Sequence, residues 1–285
     1  MKYTNKLNLP SQFEHLDDEK EPVENVFSVT ELLNSTHAIL LTRKHFNDIE
    51  IDIADTIPAL FGTAVHNVFE SKVPEDCLSE QSMYCMFDIN GVLYKIKGRC
   101  DLISLKNLFI EDYKTCSTSK IQKKDFEDWK NQGLMYCYLA WQTFGVIVRR
   151  ITFYALMKDW SKIKASKSSE YPQSPIFVYT YNVNDSDYDY IERFMKNKLI
   201  DIINKSDICN DEERWYTGTQ YAVYKNVGDK RAAYVTDDEN DAHNYITNKL
   251  NGAGEIQVRK GEYLKCQLYC NCSKFCEQWR KEANN

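Results

Sequence analysis

The chain has 285 residues, 43% hydrophobic and 27% charged, which is enough apolar side chain for one large domain or a domain with an extension. No apolar run approaches the roughly 18 residues that a membrane helix needs, and the polar start MKYTNKLNLPSQFEHLDDEKEP has no signal-like apolar stretch, so neither a membrane span nor secretion is expected. The formal charge of −6 weighs against a surface that is basic throughout, and ten cysteines in a chain not expected to be secreted read as thiols or metal ligands rather than a disulfide framework.

Residues 1–26 are polar and acidic and read as a flexible arm. Residues 27–46 carry an apolar helical pattern, with Ser28 or Thr30 as N-cap and Glu31 three residues after Ser28, the spacing of a capping box. A second helix is expected over 55–72, around Leu60, Phe61, Val65 and Phe69. Residues 80–97 alternate apolar and polar on both sides of Asn90-Gly91, a strong hairpin signal. A second hairpin follows in GRCDLISLKNLFIEDYK (98–114), with Lys106-Asn107 as its turn. Then come a helix over 124–144, a buried strand over 147–157, a strand over 174–182 and an amphipathic helix over 185–206. Residues 207–285 read as irregular, aromatic and cysteine-rich. The order implies an α/β fold with a mixed central sheet flanked by helices.

The second hairpin carries the chemistry. A turn at Lys106-Asn107 puts Ile103 opposite Ile110 and Asp101 opposite Asp112, and opposed residues share a face. Lys114 lies two residues beyond Asp112 and shares that face too, whereas Glu111 points the other way. Two carboxylates held that close repel unless a cation sits between them, and oxygen ligands of this kind suit Mg²⁺ or Mn²⁺. A plain surface ribbon with a cross-strand salt bridge would have the same sequence. Two helical pairs accompany the hairpin at four-residue spacing, His66 with Glu70 and Gln132 with Tyr136. Lysines cluster at 120, 123 and 124 and again at 158, 162, 164 and 167, which allows a local basic channel. Trp129, Trp160 and Trp215 are candidates for stacking on bases.

The order GTAVHNVFE (62–70), GRCD (98–101), EDYKT (111–115), QGLMY (132–136) resembles the RecB-like branch of the PD-(D/E)XK nucleases, over roughly residues 28–160. The resemblance implies a restriction-endonuclease-like core, with Asp101 and Asp112 holding the metal and His66 and the main-chain carbonyl of Tyr113 as further ligands. It implies that Lys114 orients the attacking water, and that Gln132 and Tyr136 position the phosphate backbone or support the metal. Glu70 and Glu111 are supporting residues.

The tail carries Cys266, Cys270, Cys272 and Cys276 in KCQLYCNCSKFCEQW. Four cysteines that close are a metal signal, for structural Zn²⁺ or an iron–sulfur cluster. AddB and the CRISPR-associated RecB-like nucleases are similar in ending with three cysteines that join a distant fourth around a [4Fe–4S] cluster. In those relatives the fourth precedes the His motif, where this chain has no cysteine. The whole chain resembles phage-encoded PD-(D/E)XK proteins in SVTELL (28–33), KDW (158–160), a cysteine before EERW (212–215) and a C-x₃-C-x₅-C end. That resemblance implies Cys209, Cys266, Cys270 and Cys276 as ligands. Cys272 in place of Cys209 is the compact rival set. Cys77, Cys85, Cys100, Cys116 and Cys137 read as small buried hydrophobes.

The expected organisation is an arm (1–26), a nuclease core (27–206) and a C-terminal cluster-binding region packed on it (207–285). The expected activity is metal-dependent hydrolysis of DNA, most simply by an exonuclease acting on single strands or ends in phage replication, recombination or degradation, in the host cytoplasm. The alternative from another class is a catalytically silent nuclease-fold protein that binds DNA as an accessory. A partner protein in replication or recombination would fit either role.

Overall fold

Local chemistry sets the first elements. In the computed structural model, which describes residues 1–10, 13 and 20–283 and every side chain among these but that of Glu70, the chain clusters into two units, Met1–Asp207 and Ile208–Asn285. Strand β1 (Lys2–Thr4) is followed by β2 (Val26–Ser28) and the short helix α1 (Val29–Leu32). The capping box expected at Ser28 forms. Ser28 Oγ accepts from the Glu31 N–H at 3.0 Å, and the Ser28 N–H donates to Glu31 Oε2 at 3.3 Å. The single helix expected over 27–46 is instead two, because Ser35 is extended and caps a new helix, α2 (Thr36–Lys44). Side chains such as Asn34 and Ser35 offer the backbone local alternatives to continued helix.

The arm is not wholly loose. β1 pairs in parallel with β3 (Glu50–Asp52), and Thr4 Oγ1 and the Lys6 N–H donate to Asp52 Oδ2 at 2.9 and 3.1 Å. Asp52 Oδ1 meanwhile caps helix α3 (Ile53–Glu70) through the Ala54 N–H. These donors hold the Asp52 carboxyl below its usual range. The acidic group Asp17, Asp18 and Glu19 lies outside the described residues.

The first hairpin forms at its expected turn. Asn90 and Gly91 both have positive φ, 55° and 80°, which a two-residue turn of this kind requires. They join β4 (Leu78–Ile89) to β5 (Val92–Ser104). β5 is one continuous strand through both expected hairpins, and it pairs with β6 (Phe109–Cys116) at Ile103–Ile110, the expected register. The second turn differs. It takes four residues, Leu105–Leu108, instead of two, with the Asn107 N–H donating to Ser104 Oγ and Leu108 at φ 57°.

After β6 come α4 (Thr118–Lys123), α5 (Glu127–Phe144), β7 (Arg150–Met157), α6 (Lys162–Lys167), β8 (Ile176–Asn182) and α7 (Asp185–Ile203). The six-stranded sheet runs β2-β5-β6-β7-β8, with β4 also paired to β5. β6–β7 and β2–β5 are parallel and the other pairs antiparallel, so this is the mixed central sheet flanked by helices that the element order implies. Ile96, Ile103, Ile110, Ile151 and Phe153 of the sheet are fully buried with Leu134, Met135 and Leu139 of α5 and Ile191, Met195 and Leu199 of α7. Each such side chain contributes about 1.5–3 kcal/mol. Trp129 belongs to this core and is not available to stack on bases, whereas Trp215 is half-exposed. Trp160 donates its indole N–H to the Pro172 carbonyl at 2.7 Å.

The unit Ile208–Asn285 is more regular than its sequence suggests. β9 (Gln220–Tyr224) is flanked by β10 (Tyr234–Thr236) and β11 (Glu255–Arg259), both antiparallel to it. Helix α8 (Glu239–Lys249) stacks Tyr245 on Tyr234 with ring centres 4.6 Å apart, and α9 (Glu277–Ala283) closes the unit. Strands of three to five residues are too short to show a period in sequence. Among the described residues no helix is long and apolar enough to cross a membrane.

Candidate active site

Strands β5 and β6 and helix α3 bring the predicted acids, lysine and histidine together. Asp101 is 9% exposed on β5. Its Oδ1 lies 2.9 Å from His66 Nδ1 on α3, and its Oδ2 accepts the Tyr113 N–H of β6 at 2.6 Å. One carboxylate therefore ties the helix to both strands. Gly98 permits this packing. A Cβ there would stand 2.8 Å from both Tyr136 Cε1 and Val29 Cγ2. Gly133 does the same for α5, where a Cβ would stand 2.9 Å from Phe153.

Asp112 is buried, only 2% exposed. Its Oδ2 accepts no aligned hydrogen bond, and the Lys114 ammonium lies 2.6 Å away as an ion pair. Burial pushes the Asp112 carboxyl above its usual range, against the pull of Lys114, and the nearby Asp101 charge adds to the rise. Lys114 Nζ also donates to Gln132 Oε1 at 2.6 Å, and Gln132 Nε2 donates to the Tyr136 hydroxyl at 3.0 Å. The lysine is thus fixed at both ends of its reach, by Asp112 and by a Gln–Tyr pair one helical turn apart. Burial pushes the Tyr136 phenol well up, so it stays protonated.

His66 is raised above its usual value because it hydrogen-bonds Asp101, with burial opposing and both nearby carboxylates reinforcing. The Tyr113 ring turns from the acids and stacks on Phe69 of α3, ring centres 4.3 Å apart and nearly parallel. Burial pushes its phenol up to about 12. Glu111 faces Tyr154, whose hydroxyl donates to Glu111 Oε1 at 3.3 Å, away from Asp112. Glu70 ends α3, and its side chain lies outside the described ones.

One acid was not picked out from the sequence. His66, Glu80 and Asp101 each offer a ligand atom, all within 4.8 Å of one another. Glu80 sits at φ 53°, a left-handed conformation that costs a non-glycine residue about 1 kcal/mol. The signal was present in the Asn90-Gly91 turn. Ile89 opposes Val92, and counting that register back along both strands puts Glu80 directly across from Asp101. Carboxylate oxygens with one imidazole are a donor set that fits Mg²⁺ or Mn²⁺, and the buried Asp112 Oδ2 without an aligned donor fits a cation as well.

All ten cysteines are thiols. Cys85, Cys100 and Cys137 are buried among apolar residues, and burial pushes Cys85 to about 12 and the other two higher still, which suits packing and not ligation. The tail behaves otherwise. Cys270 Sγ and Cys272 Sγ are 3.5 Å apart, and the hydrogen bond from Cys272 draws Cys270 down to about 6. Burial pushes the Cys266 thiol up, against the pull of the neighbouring Arg214, and Cys270 and Cys276 add to the rise. Gln278 clasps the Cys209 main chain, accepting its N–H at 2.9 Å and donating to its carbonyl at 2.8 Å. Tetrahedral zinc at about 2.3 Å from each sulfur holds its ligands roughly 3.8 Å apart. Among the described residues no three of these thiols have all their sulfurs within 4.8 Å of one another.

No family model matches the chain, and no curated protein matches it. Several solved structures are similar to parts of the chain. One is the protein SSO0001, 20% identical over 66% of this chain and 80% of that one, with a TM-score of 0.45. An alkaline exonuclease from Laribacter hongkongensis is 8% identical over 64% of this chain and 89% of its own, TM-score 0.34. A phage-related exonuclease from Haemophilus somnus is 15% identical over 45% and 63%, TM-score 0.27.

Proposed function

We propose that this chain is a divalent-metal-dependent nuclease that hydrolyses phosphodiester bonds in DNA, with Mg²⁺ or Mn²⁺ held by His66, Asp101, Asp112 and the main-chain carbonyl of Tyr113. The observation that carries the reading is Asp112, a carboxylate 2% exposed whose Oδ2 has the Lys114 ammonium at 2.6 Å and accepts no aligned hydrogen bond. A carboxylate that deep is costly unless cations meet it. Packing alone gives no reason to place it there beside Asp101.

When bound, the cation would acidify a water and neutralise phosphate charge. The remaining tasks fall to the chain. Asp101 holds His66 by a 2.9 Å contact and takes its own bearing from the Tyr113 N–H. Lys114 presents an ammonium with three donors, one given to Gln132 Oε1 while the charge pairs with Asp112. A remaining donor would hold a water or a phosphate oxygen and offset charge developing there. Gln132 is set by Tyr136, which keeps the lysine from swinging away.

The finer reading is an exonuclease of the RecB-like branch, phage-encoded, acting on ends or single strands in replication, recombination or degradation. It takes residues 27–206 as the nuclease core and 207–285 as a cluster-binding region. It is supported by the order of the four sequence motifs. A [4Fe–4S] cluster on Cys209, Cys266, Cys270 and Cys276 is supported by the C-x₃-C-x₅-C end and the cysteine before EERW. Structural zinc is the alternative there.

The test is cleavage of end-labelled linear single- and double-stranded DNA and of a closed circle, with Mg²⁺, Mn²⁺ or EDTA, beside Asp112→Ala. Metal-dependent shortening of the linear strands that the variant lacks supports an exonuclease. Cutting of the circle makes the enzyme an endonuclease. No cleavage by folded, metal-supplied protein favours the silent accessory reading.

A further inference from the structure

We infer that Glu80 is a further ligand of the cation site and that Arg99 holds it in reserve, the guanidinium and the metal exchanging on the same carboxylate. The inference rests on the metal reading of the site above and extends it to two residues that no motif assigns. Glu80 sits between the Ser79–Leu102 and Gln81–Cys100 pairs of β4 and β5, and its carboxylate stands within 4.8 Å of the ligand atoms of both His66 and Asp101. Its side chain is 19% exposed and is met by Arg99 Nε at 2.5 Å. A cationic group therefore already occupies the carboxylate. Asp112, on the neighbouring strand β6, adds a buried carboxylate whose Oδ2 has Lys114 at 2.6 Å and accepts no aligned hydrogen bond.

Arg99 is built to leave. It is 64% exposed, and an exposed ion pair is weak and screened by salt. It sits two residues before Asp101 on β5 and so shares its face. Displaced from Glu80, its planar fork would still border the site, where guanidinium recognises phosphate oxygens in pairs. Cation on Glu80 and DNA phosphate on Arg99 would then favour each other, because each removes the other's competitor.

The experiment measures Mn²⁺ binding to the metal-free full-length protein by electron paramagnetic resonance, without DNA, for wild type, Glu80→Gln, Arg99→Met and Asp101→Asn, with circular dichroism on each. Glu80→Gln is expected to weaken Mn²⁺ binding about tenfold or more, the scale of losing a group that supports a metal site. Arg99→Met is expected to tighten it several-fold, the opposite direction, and it changes a side chain whose exposure leaves the fold unaffected. A merely structural role for the pair would loosen both variants alike. Unchanged binding in Glu80→Gln, or weakened binding in Arg99→Met, overturns the inference. Loss of Mn²⁺ in Asp101→Asn beside wild-type affinity in Glu80→Gln overturns the inference alone. Wild-type affinity in both overturns the cation reading with it.

Discussion

The main-chain N–H of Tyr113 reaches the side chain of Asp101 at 2.6 Å, so the strand that carries Asp112 and Lys114 is pinned to the other acid of the site by its own backbone. The same carboxylate pairs with His66 and accounts for most of that histidine's raised pKa. Asp101→Asn is therefore expected to do two separable things. Cleavage should fall at least about a hundredfold. In metal-free protein the His66 pKa, followed by NMR, should drop back toward about 6.5. A His66 titration that does not move would refute the pairing.

The sign of that shift also sets a pH dependence. His66 binds its proton more tightly folded than unfolded, so in metal-free protein its contribution to stability is fully present below about pH 6.5 and is lost as pH rises through the raised folded value. A metal needs the neutral imidazole. Mn²⁺ affinity is thus expected to rise with pH across that same interval, and His66→Ala should flatten the rise.

Asp112 runs the other way. Its folded carboxyl is raised by burial, so ionising it costs stability at neutral pH even with Lys114 beside it. Asp112→Asn should abolish cleavage and yet leave the thermal midpoint unchanged or higher, since an amide of the same shape needs no charge partner. Lys114→Met should abolish cleavage and lower the midpoint, because it strands a buried carboxylate; a cost of about 3 kcal/mol is the scale for breaking such a pair. Calorimetry on the two variants decides it, and a fall of equal size in both would deny that the buried charge is maintained for function.

Gly98 tests the packing beneath the site. A Cβ would meet Tyr136 and Val29 at 2.8 Å, and neither is the free end of a flexible chain. Gly98→Ala should cost about 1–3 kcal/mol. It should also reduce cleavage by shifting Tyr136, which orients Gln132 and through it Lys114. Wild-type stability and activity in this variant would mean that the helix moves aside at no cost.

Much of this arrangement is legible from residues. Asn90-Gly91 demands positive φ at two successive positions, and the strands on either side follow from it. Ile103 opposite Ile110 fixes the second register even though its turn is two residues longer than expected, because a four-residue loop centred on the same point keeps the same partners. Glu80 lies on a strand that carries no motif, and only the count of residues back from the Asn90-Gly91 turn brings it level with Asp101. The break at Asn34-Ser35 was hidden by an apolar pattern that runs on across it. The three short strands of the C-terminal unit carry too few residues for alternation to show.

Arg214 offers a test of the cysteine-rich tail that leaves every thiol in place. It is 4% exposed, lies over the Tyr263 ring at 3.4 Å, and has Nε and Nη2 buried without acceptors among the described residues. Its nearest carboxylate, Glu282, is 3.7 Å away. A guanidinium so placed calls for negative charge, and Cys266 beside it supplies that charge once deprotonated for a metal. Arg214→Met is therefore expected to lower metal content per chain in protein purified without oxygen, with Arg214→Lys in between. On the preferred ligand set, Cys209→Ser should lose metal as well, and Cys272→Ser should keep it. The content should be iron with acid-labile sulfide. One zinc and no iron would replace the cluster with a structural zinc site, and loss in Cys272→Ser with retention in Cys209→Ser would favour the compact set. Full metal content in Arg214→Met would show that the thiolates need no help from the buried charge.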